Sequence, residues 1–398
     1  MKTRTDFENR GRGMSAFILF SVMAVMCAAR ASGAGDIVRV AFIGDIMAHS
    51  EQLEAASGDK GWNFAPQFRR VLPLFRGALV VGNLETVFAG EDPGYAGYPM
   101  FNTPDELASN LRDAGVRVVT LANNHILDRG EAGAARTIET LDSVGILWMG
   151  LEEKDQETNE PRVVDYGGLK WAFLNYSYGS NNSSSTNAAS RDVSLNRISN
   201  ATVAEGLARA KDENPDVTVV CFHWGMEYAT SPAKSARTLA ELCFKNGADM
   251  VIGTHPHVLQ PIEIAETERG VGLVAYSLGN FVSYQRTRPR ERSVVLAVDV
   301  RKKEGGGSEI ARVSVAPTWV SSQKPGGRRR IEVVYSGTGG PFNHEGLQGG
   351  ILKRARDTGA RVLDFLGARA TPDAEGFYTL WDETSGDLGP RPRRKTPD

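Results

Sequence analysis

Cysteine is almost absent from this chain: Cys27, Cys221 and Cys243 are the three among 398 residues. So few thiols exclude both a disulfide framework and a zinc–thiolate cluster. Net charge is nearly absent too, at −2 from 46 basic and 48 acidic residues. Nucleic-acid binding needs a concentrated basic footprint, and an even balance gives no case for one. Beyond the N-terminus no apolar run approaches the roughly 20 residues of a spanning helix, and no internal repeat is present. With 41% hydrophobic and 24% charged residues the chain is globular for most of its length, with enough sequence for one large domain or two medium ones. Histidine is also scarce, at six residues. Their placement is the informative feature.

Residues 1–31 have the form of an export signal. Lys2, Arg4, Arg10 and Arg12 precede an apolar or small-residue run from Ala16 to Ala29, and Ala29-Arg30-Ala31 is a small-x-small cleavage site. The rival is an uncleaved anchor, although the run is short for one. Cys27 follows Met26 rather than a small residue, so it belongs to the apolar run rather than to a lipidation site. The expected location is outside the cytoplasm: periplasmic, extracellular or tethered to the cytoplasmic membrane by the N-terminus.

After Gly35 short apolar runs alternate with helix-period segments, the pattern of an α/β layer fold. Strands are expected at Ile37–Ile43, Ala78–Val81, Val116–Leu121, Leu169–Tyr176, Val217–Phe222, Met250–Ile252 and Gly272–Tyr276, with helices at Glu106–Asp113, Gly130–Ser143, Ala201–Lys211 and Ala233–Lys245. Thr103-Pro104 reads as an N-cap with proline at the first helical position, and Gly247 as a C-terminal stop. Gly179 to Ser190 is almost wholly Ser, Asn, Thr and Gly, and reads as a flexible loop or a substrate-contacting lid. From about residue 292 consecutive strands follow (Ser293–Val300, Ile310–Val315, Ile331–Val334), then a helix at Leu347–Leu366. The expected domains are residues 36–300 as the main unit, 301–384 as a C-terminal extension packed on it, and 385–398 as a disordered tail.

Several apolar strands run into short polar clusters. These are Gly44-Asp45 with His49 beyond, Gly82-Asn83-Leu84-Glu85, Asn123-Asn124-His125 with Asp128, His223-Trp224-Gly225-Met226-Glu227, Gly253-Thr254-His255-Pro256-His257 with Gln260, and Ser277-Leu278-Gly279-Asn280-Phe281. Groups past the carboxyl ends of parallel strands share one edge of the sheet, where ligands bind. Asp, Glu, Asn and His without sulfur suit manganese, zinc or iron, and such ions activate water for hydrolysis. Each cluster has a plainer reading: Gly-Asp as a turn, Asn83 and Asn124 as Asx-turn residues, Glu85 as a helix cap, His223 as a packed side chain. His255 and His257, two apart in an extended segment, would point the same way. Five of the six histidines lie at such junctions and His344 lies elsewhere, which favours one shared site.

Taken in order, these six motifs resemble those of the CapA family, also called PgsA in some systems: capsule-biosynthesis proteins linked to poly-γ-glutamate. The resemblance runs from about Val38 to Phe281. It implies a fold like the calcineurin-like metallophosphoesterases, a four-layer α/β/β/α sandwich, here with a small C-terminal β-rich and helical extension. It further implies Asp45 and His257 at a first metal, Glu85 at the bridging position, and Asn124, His223 and His255 at a second. His125, with Asp128, would protonate the leaving group; Asn83, Asn123, Glu227, Gln260 and Asn280 would contact substrate. The implied substrate is an anionic polymer, or a phosphoester or amide, with membrane-bound capsule synthase subunits as partners. Two departures stand out. Asp45-Ile46-Met47 replaces the usual Asp-x-His, and Glu85 stands for an aspartate. They leave open whether the first metal is weak, absent or completed by His49, and whether the protein is a hydrolase or a non-catalytic, polymer-binding accessory.

Overall fold

A computed structural model describes residues 37–153, 159–182, 193–342, 344–347 and 349–384. The expected export segment, the expected C-terminal tail and most of the Ser/Asn-rich stretch lie outside the described residues. Among these residues no helix is long and apolar enough to cross a membrane.

The chain begins with β1 (Ile37–Ile46), α1 (Ser50–Ala56), β2 (Ser57–Gly58), β3 (Gly61–Trp62), α2 (Ala65–Phe68) and β4 (Ala78–Leu84). Next come α3 (Glu106–Ala114), β5 (Val116–Thr120), α4 (Gly130–Val144), β6 (Leu147–Met149), β7 (Leu151–Glu153), β8 (Arg162–Tyr166) and β9 (Leu169–Ser177). β10 (Val193–Leu195) and α5 (Asn200–Asp212) lead to β11 (Val217–His223), α6 (Lys234–Lys245) and β12 (Met250–Thr254). The remainder is β13 (Ile262–Thr267), β14 (Gly270–Ala275), β15 (Asn280–Val282), β16 (Arg292–Lys302), β17 (Ser308–Gln323), β18 (Arg330–Tyr335), α7 (Gly349–Leu366) and β19 (Tyr378–Asp382).

Two sheets carry the architecture. The larger runs β18-β17-β16-β1-β4-β5-β6, with β15 beside β1 and β19 beside β17; the smaller runs β13-β14-β12-β11-β9-β8. Strand alternation separates the faces. Trp171, Phe173, Val219, Cys221 and Ile252 join the large core shared with Val40, Phe42, Leu79 and Val81 of the other sheet. Their neighbours Ala172, Leu174, Tyr176, Val220, Phe222 and Val251 pack instead with Val203 and Leu207 of α5 and Leu239 and Cys243 of α6. Helices α3 and α4 cover the other side of the larger sheet through Leu107, Leu111, Ile138 and Leu141. The result is the four-layer α/β/β/α sandwich expected. Cys221 and Cys243 are buried and free, and burial pushes the Cys221 thiol up to about 12.

The expected boundary at residue 300 needs correcting, because it falls inside β16. That strand pairs antiparallel with β1 from Ile37↔Arg301 to Phe42↔Leu296, and β17, β18 and β19 continue the same sheet. Residues 301–384 therefore complete a sheet of the main unit rather than pack on it as an extension. The antiparallel rhythm is legible locally, but a strand's distant partner is not. Helix α3 also starts later than the Thr103-Pro104 signal suggests, with Asp105 at its N-cap.

Close strand approach explains two motif glycines. A Cβ on Gly44 would stand 1.8 Å from the Gly279 carbonyl oxygen, and one on Gly253 would stand 2.1 Å from that of Tyr276. Gly44→Ala should therefore cost on the order of 3 kcal/mol, read as a lower midpoint in denaturant unfolding. An unchanged midpoint would show that the β1–β15 junction yields more easily than its geometry suggests.

Candidate metal centre

The carboxyl ends of β1, β4, β11 and β12 and the turn after β5 bring the polar clusters together. Asp45, Glu85, Asn124, His223, His255 and His257 are all buried. One ligand atom each from Glu85, His255 and His257 lies within 4.8 Å of the others, and so does one each from Asp45, Glu85 and His223. Glu85 belongs to both groups. The cluster is thus centred on that carboxylate, the position that the family resemblance gives to a bridging group.

The side-chain contacts test whether a cation fits. Thr254 Oγ1 lies 3.1 Å from both the Phe222 carbonyl oxygen and His223 Nδ1, and His223 Nε2 faces Asn124 Oδ1 at 2.7 Å and Glu85 Oε1 at 3.6 Å. His257 places Nδ1 2.9 Å from Asp45 Oδ2 and Nε2 3.7 Å from Glu85 Oε1. Both ring nitrogens of His257 thus face carboxylate oxygens, one of Asp45 and one of Glu85. Glu85 Oε1 itself has no hydrogen-bond donor, nor has His255 Nδ1 a partner. Lone pairs converging in a buried site are costly unless a cation sits among them, and N/O donors of this kind fit a divalent ion. The backbone is strained to build the site. His255 and His257 have φ of 95° and 58°, conformations that cost roughly 1–3 kcal/mol each and cluster at functional sites. They follow β12 in left-handed backbone, so the extended His-x-His geometry expected from their spacing is not how they converge.

Asn83 holds the carboxylates in place. Its Nδ2 donates to Asp45 Oδ1 at 2.8 Å and Glu85 Oε2 at 3.3 Å, while its Oδ1 accepts from Thr120 Oγ1 at 2.9 Å. Asn123 ties the neighbouring turn to the Leu84 carbonyl at 2.8 Å and accepts from the His125 amide at 3.1 Å. His125 stands outside both ligand groups. Its Nδ1 lies 2.8 Å from Asp128 Oδ2, which also accepts from the Phe101 amide, and the Phe101 ring meets its edge.

The remaining sequence candidates lie around this centre. Glu227 is exposed. Gln260 Nε2 binds the Ala229 carbonyl at 2.7 Å, and Asn280 Nδ2 binds the Arg290 carbonyl at 2.9 Å; both brace loops. His49 Nδ1 accepts from the Tyr284 amide at 3.3 Å, which puts the neutral ring's proton on Nε2, and His49 belongs to neither ligand group. Met47 is buried where a histidine was expected. The first described residues of the Ser/Asn-rich stretch are pinned to the site, with the Asn181 amide donating to the Asn124 carbonyl at 2.9 Å. Thr254, Phe101 and Tyr178 were missed. Only the place of Thr254 beside His255 hinted at a role, since orientation of a ring by a hydroxyl leaves no pattern in sequence.

Burial sets the protonation states. It pushes His223 well below the ordinary histidine value and His255 down to about 4, helped by the neighbouring imidazoles, and it lowers His49 to about 4. Burial first, then the Asp45 and Glu227 charges, hold Glu85 well above the carboxylate range. A histidine whose pKa falls on folding binds protons better when unfolded. The stability it contributes is complete above pH 6.5 and is lost as pH falls from there toward 4, at up to ~1.4 kcal/mol per pH unit for each group. Chelated protein should therefore unfold at steadily lower temperature from pH 6.5 to 4.5. A flat profile in calorimetry would mean that these rings titrate freely.

A family model described as "Bacterial capsule synthesis protein PGA_cap" matches residues 39–285, the stretch that supplies every ligand candidate. The chain belongs to the PGA_cap family. It is 32% identical over 242 residues to "Capsule biosynthesis protein CapA" of Bacillus anthracis, covering 57% of this chain and 56% of that protein, so the match spans about half the relative's length. It is 28% identical to "PGA biosynthesis protein CapA" of Bacillus subtilis, covering 70% and 72%. Among solved structures it is similar to the calcineurin-like phosphoesterase YfkN of Bacillus subtilis, at 12% identity and a TM-score of 0.44, covering 83% of this chain and 99% of that one. The stretch matched by the PGA_cap model contains the ordered motifs from Gly44-Asp45 to Ser277-Leu278-Gly279-Asn280.

Proposed function

We propose that this protein is exported and acts on an anionic capsule polymer such as poly-γ-glutamate, in its synthesis, export or surface attachment, through metal-dependent hydrolase-like chemistry. The observation that carries the reading is the convergence of buried imidazole nitrogens on an unpartnered carboxylate oxygen of Glu85, in a chain of the PGA_cap family. Asp45, Glu85, Asn124, His223, His255 and His257 would hold divalent metal, manganese, zinc or iron. Such a cation polarises a carbonyl or phosphoryl oxygen and acidifies water. His125 supplies the proton relay: Asp128 accepts from Nδ1, so the ring can carry a second proton on Nε2 and give it to a leaving amine or alcohol. Membrane-bound synthase subunits are the partners this role calls for.

Metal analysis of the purified protein, with a His255→Ala/His257→Ala variant in a polymer-producing host, tests the reading. Retained metal in the wild type and lost polymer in the variant are expected. A metal-free wild type together with normal polymer from the variant would overturn it. Buried Met47 at the position of the usual histidine favours a second reading, a non-catalytic accessory of an envelope-bound synthase. That reading requires folded His125→Ala protein to support polymer production fully.

A further inference from the structure

Eight large hydrophobic side chains are notably exposed among the described residues, and several stand at the metal centre. Tyr98, 68% exposed, lies 6.3 Å from the His125 ring; Tyr178, 47% exposed, lies 4.7 Å from His255; Tyr228, 38% exposed, lies 6.2 Å from His257. Three imidazoles of the centre thus each have an exposed tyrosine beside them, contributed by three separate segments of the chain. Met226, 73% exposed, sits on the same turn as Tyr228. Exposed apolar surface at the mouth of a polar site is where a ligand's carbon skeleton is expected to lie.

Tyr228 differs from the other two. It has φ of 67°, uncommon for a bulky residue and held here by its amide donating to the Pro256 carbonyl at 2.8 Å. The Arg290 guanidinium lies over its ring, 3.4 Å from the centroid. Arg290 makes no ion pair with a carboxylate among the described residues, unlike Arg288 nearby, which pairs with Glu291 at 3.8 Å. Its loop is fixed from the site itself. Asn280 pairs with Asp45 across β15 and β1, and its amide binds the Arg290 carbonyl. A guanidinium stacked on an aromatic face keeps its edge free for a bidentate contact with an anion.

We infer that Arg290 on Tyr228 is a subsite that receives a carboxylate of the substrate next to the reacting bond, while the tyrosine collar packs its methylene carbons. This rests on the polymer reading above. The ligand class is a flexible chain bearing carboxylates separated by short apolar stretches, lying across the mouth between Tyr98, Tyr178 and Tyr228.

Calorimetric titration of the full, manganese-loaded chain tests the subsite, using a γ-linked glutamate oligomer and the same oligomer with amidated side-group carboxylates. Arg290→Ala should weaken binding of the acidic oligomer about 10- to 100-fold, as expected for a charge-assisted contact, and leave binding of the amidated one unchanged. Arg290→Lys keeps the charge without the planar stack and should fall between. Metal content and melting temperature should match the wild type in both variants. If the wild type binds the acidic oligomer and Arg290→Ala binds it equally well, or if the variant weakens both oligomers alike, the carboxylate subsite is wrong and the polymer reading stands. If the metal-loaded wild type binds neither oligomer, both fall together.

Discussion

Glu85→Gln should raise the melting temperature of chelated protein and abolish the further rise that a divalent cation gives the wild type. Without metal, Glu85 is a fully buried carboxylate beside Asp45, with one oxygen that receives no hydrogen bond. The amide has the same shape and removes the charge. Where Glu85 is ionised, relief of about 1–3 kcal/mol follows from removing an uncompensated buried charge, a shift of a few degrees for a chain of this size, and the relief shrinks as pH falls and the raised carboxyl takes up its proton. The same substitution removes the one group shared by both ligand sets. In the wild type, metal at a thousandfold excess over its dissociation constant stabilises by about 4 kcal/mol, and this gain should grow with pH as the Glu85 proton ceases to compete. Differential scanning fluorimetry with and without manganese from pH 5 to 8 reads both effects. An equal metal-induced shift in Glu85→Gln and wild type would remove Glu85 from the centre.

His125→Ala should leave metal content unchanged and lower turnover about 10²- to 10⁴-fold, the range for loss of a positioned general acid. The separation of the two effects is the point, because His125 lies outside both ligand groups and bonds to Asp128 instead. Asp128→Asn should lose less, since an amide oxygen can still accept from one of the two donors that Asp128 Oδ2 now serves, the His125 ring and the Phe101 amide. The assay is cleavage of γ-glutamyl oligomers or activated phosphodiesters, whichever the loaded protein turns over. Turnover of metal-loaded His125→Ala within threefold of wild type would exclude the proton-relay role.

The central strands were legible because each is buried on both faces and reads as a nearly continuous apolar run: Val217 to Phe222, broken only by Thr218, and Met250 to Ile252 need no partner to be recognised. The polar residues that end those runs gave the site. Edge strands were not legible. β8 has no fully buried position and β13 only Ile262, and they carry Asp165, Glu263 and Glu266, so their patterns resemble loops. Within the site, residue type revealed what could bind a cation and said nothing of who orients whom. Gln260 and Asn280 read as substrate contacts because they lie in the motifs, and the structure adds that their amide nitrogens also hold backbone carbonyls of neighbouring loops, while Asn280 Oδ1 is left without a partner. Tyr228 and Arg290 went unread for the opposite reason, since exposure and a stacked guanidinium depend on two segments meeting.

The pairing of β1 with β16 has a consequence for how the protein comes into being. Arg39 and Asp299, bonded at 2.7 Å across those strands, are 260 positions apart, and such long-range closure slows folding. A chain arrested or clipped before residue 292 would already contain every candidate metal ligand, but the strand that presents Asp45 would have one edge open to water along Ile37–Phe42. The centre should therefore be born late and all at once.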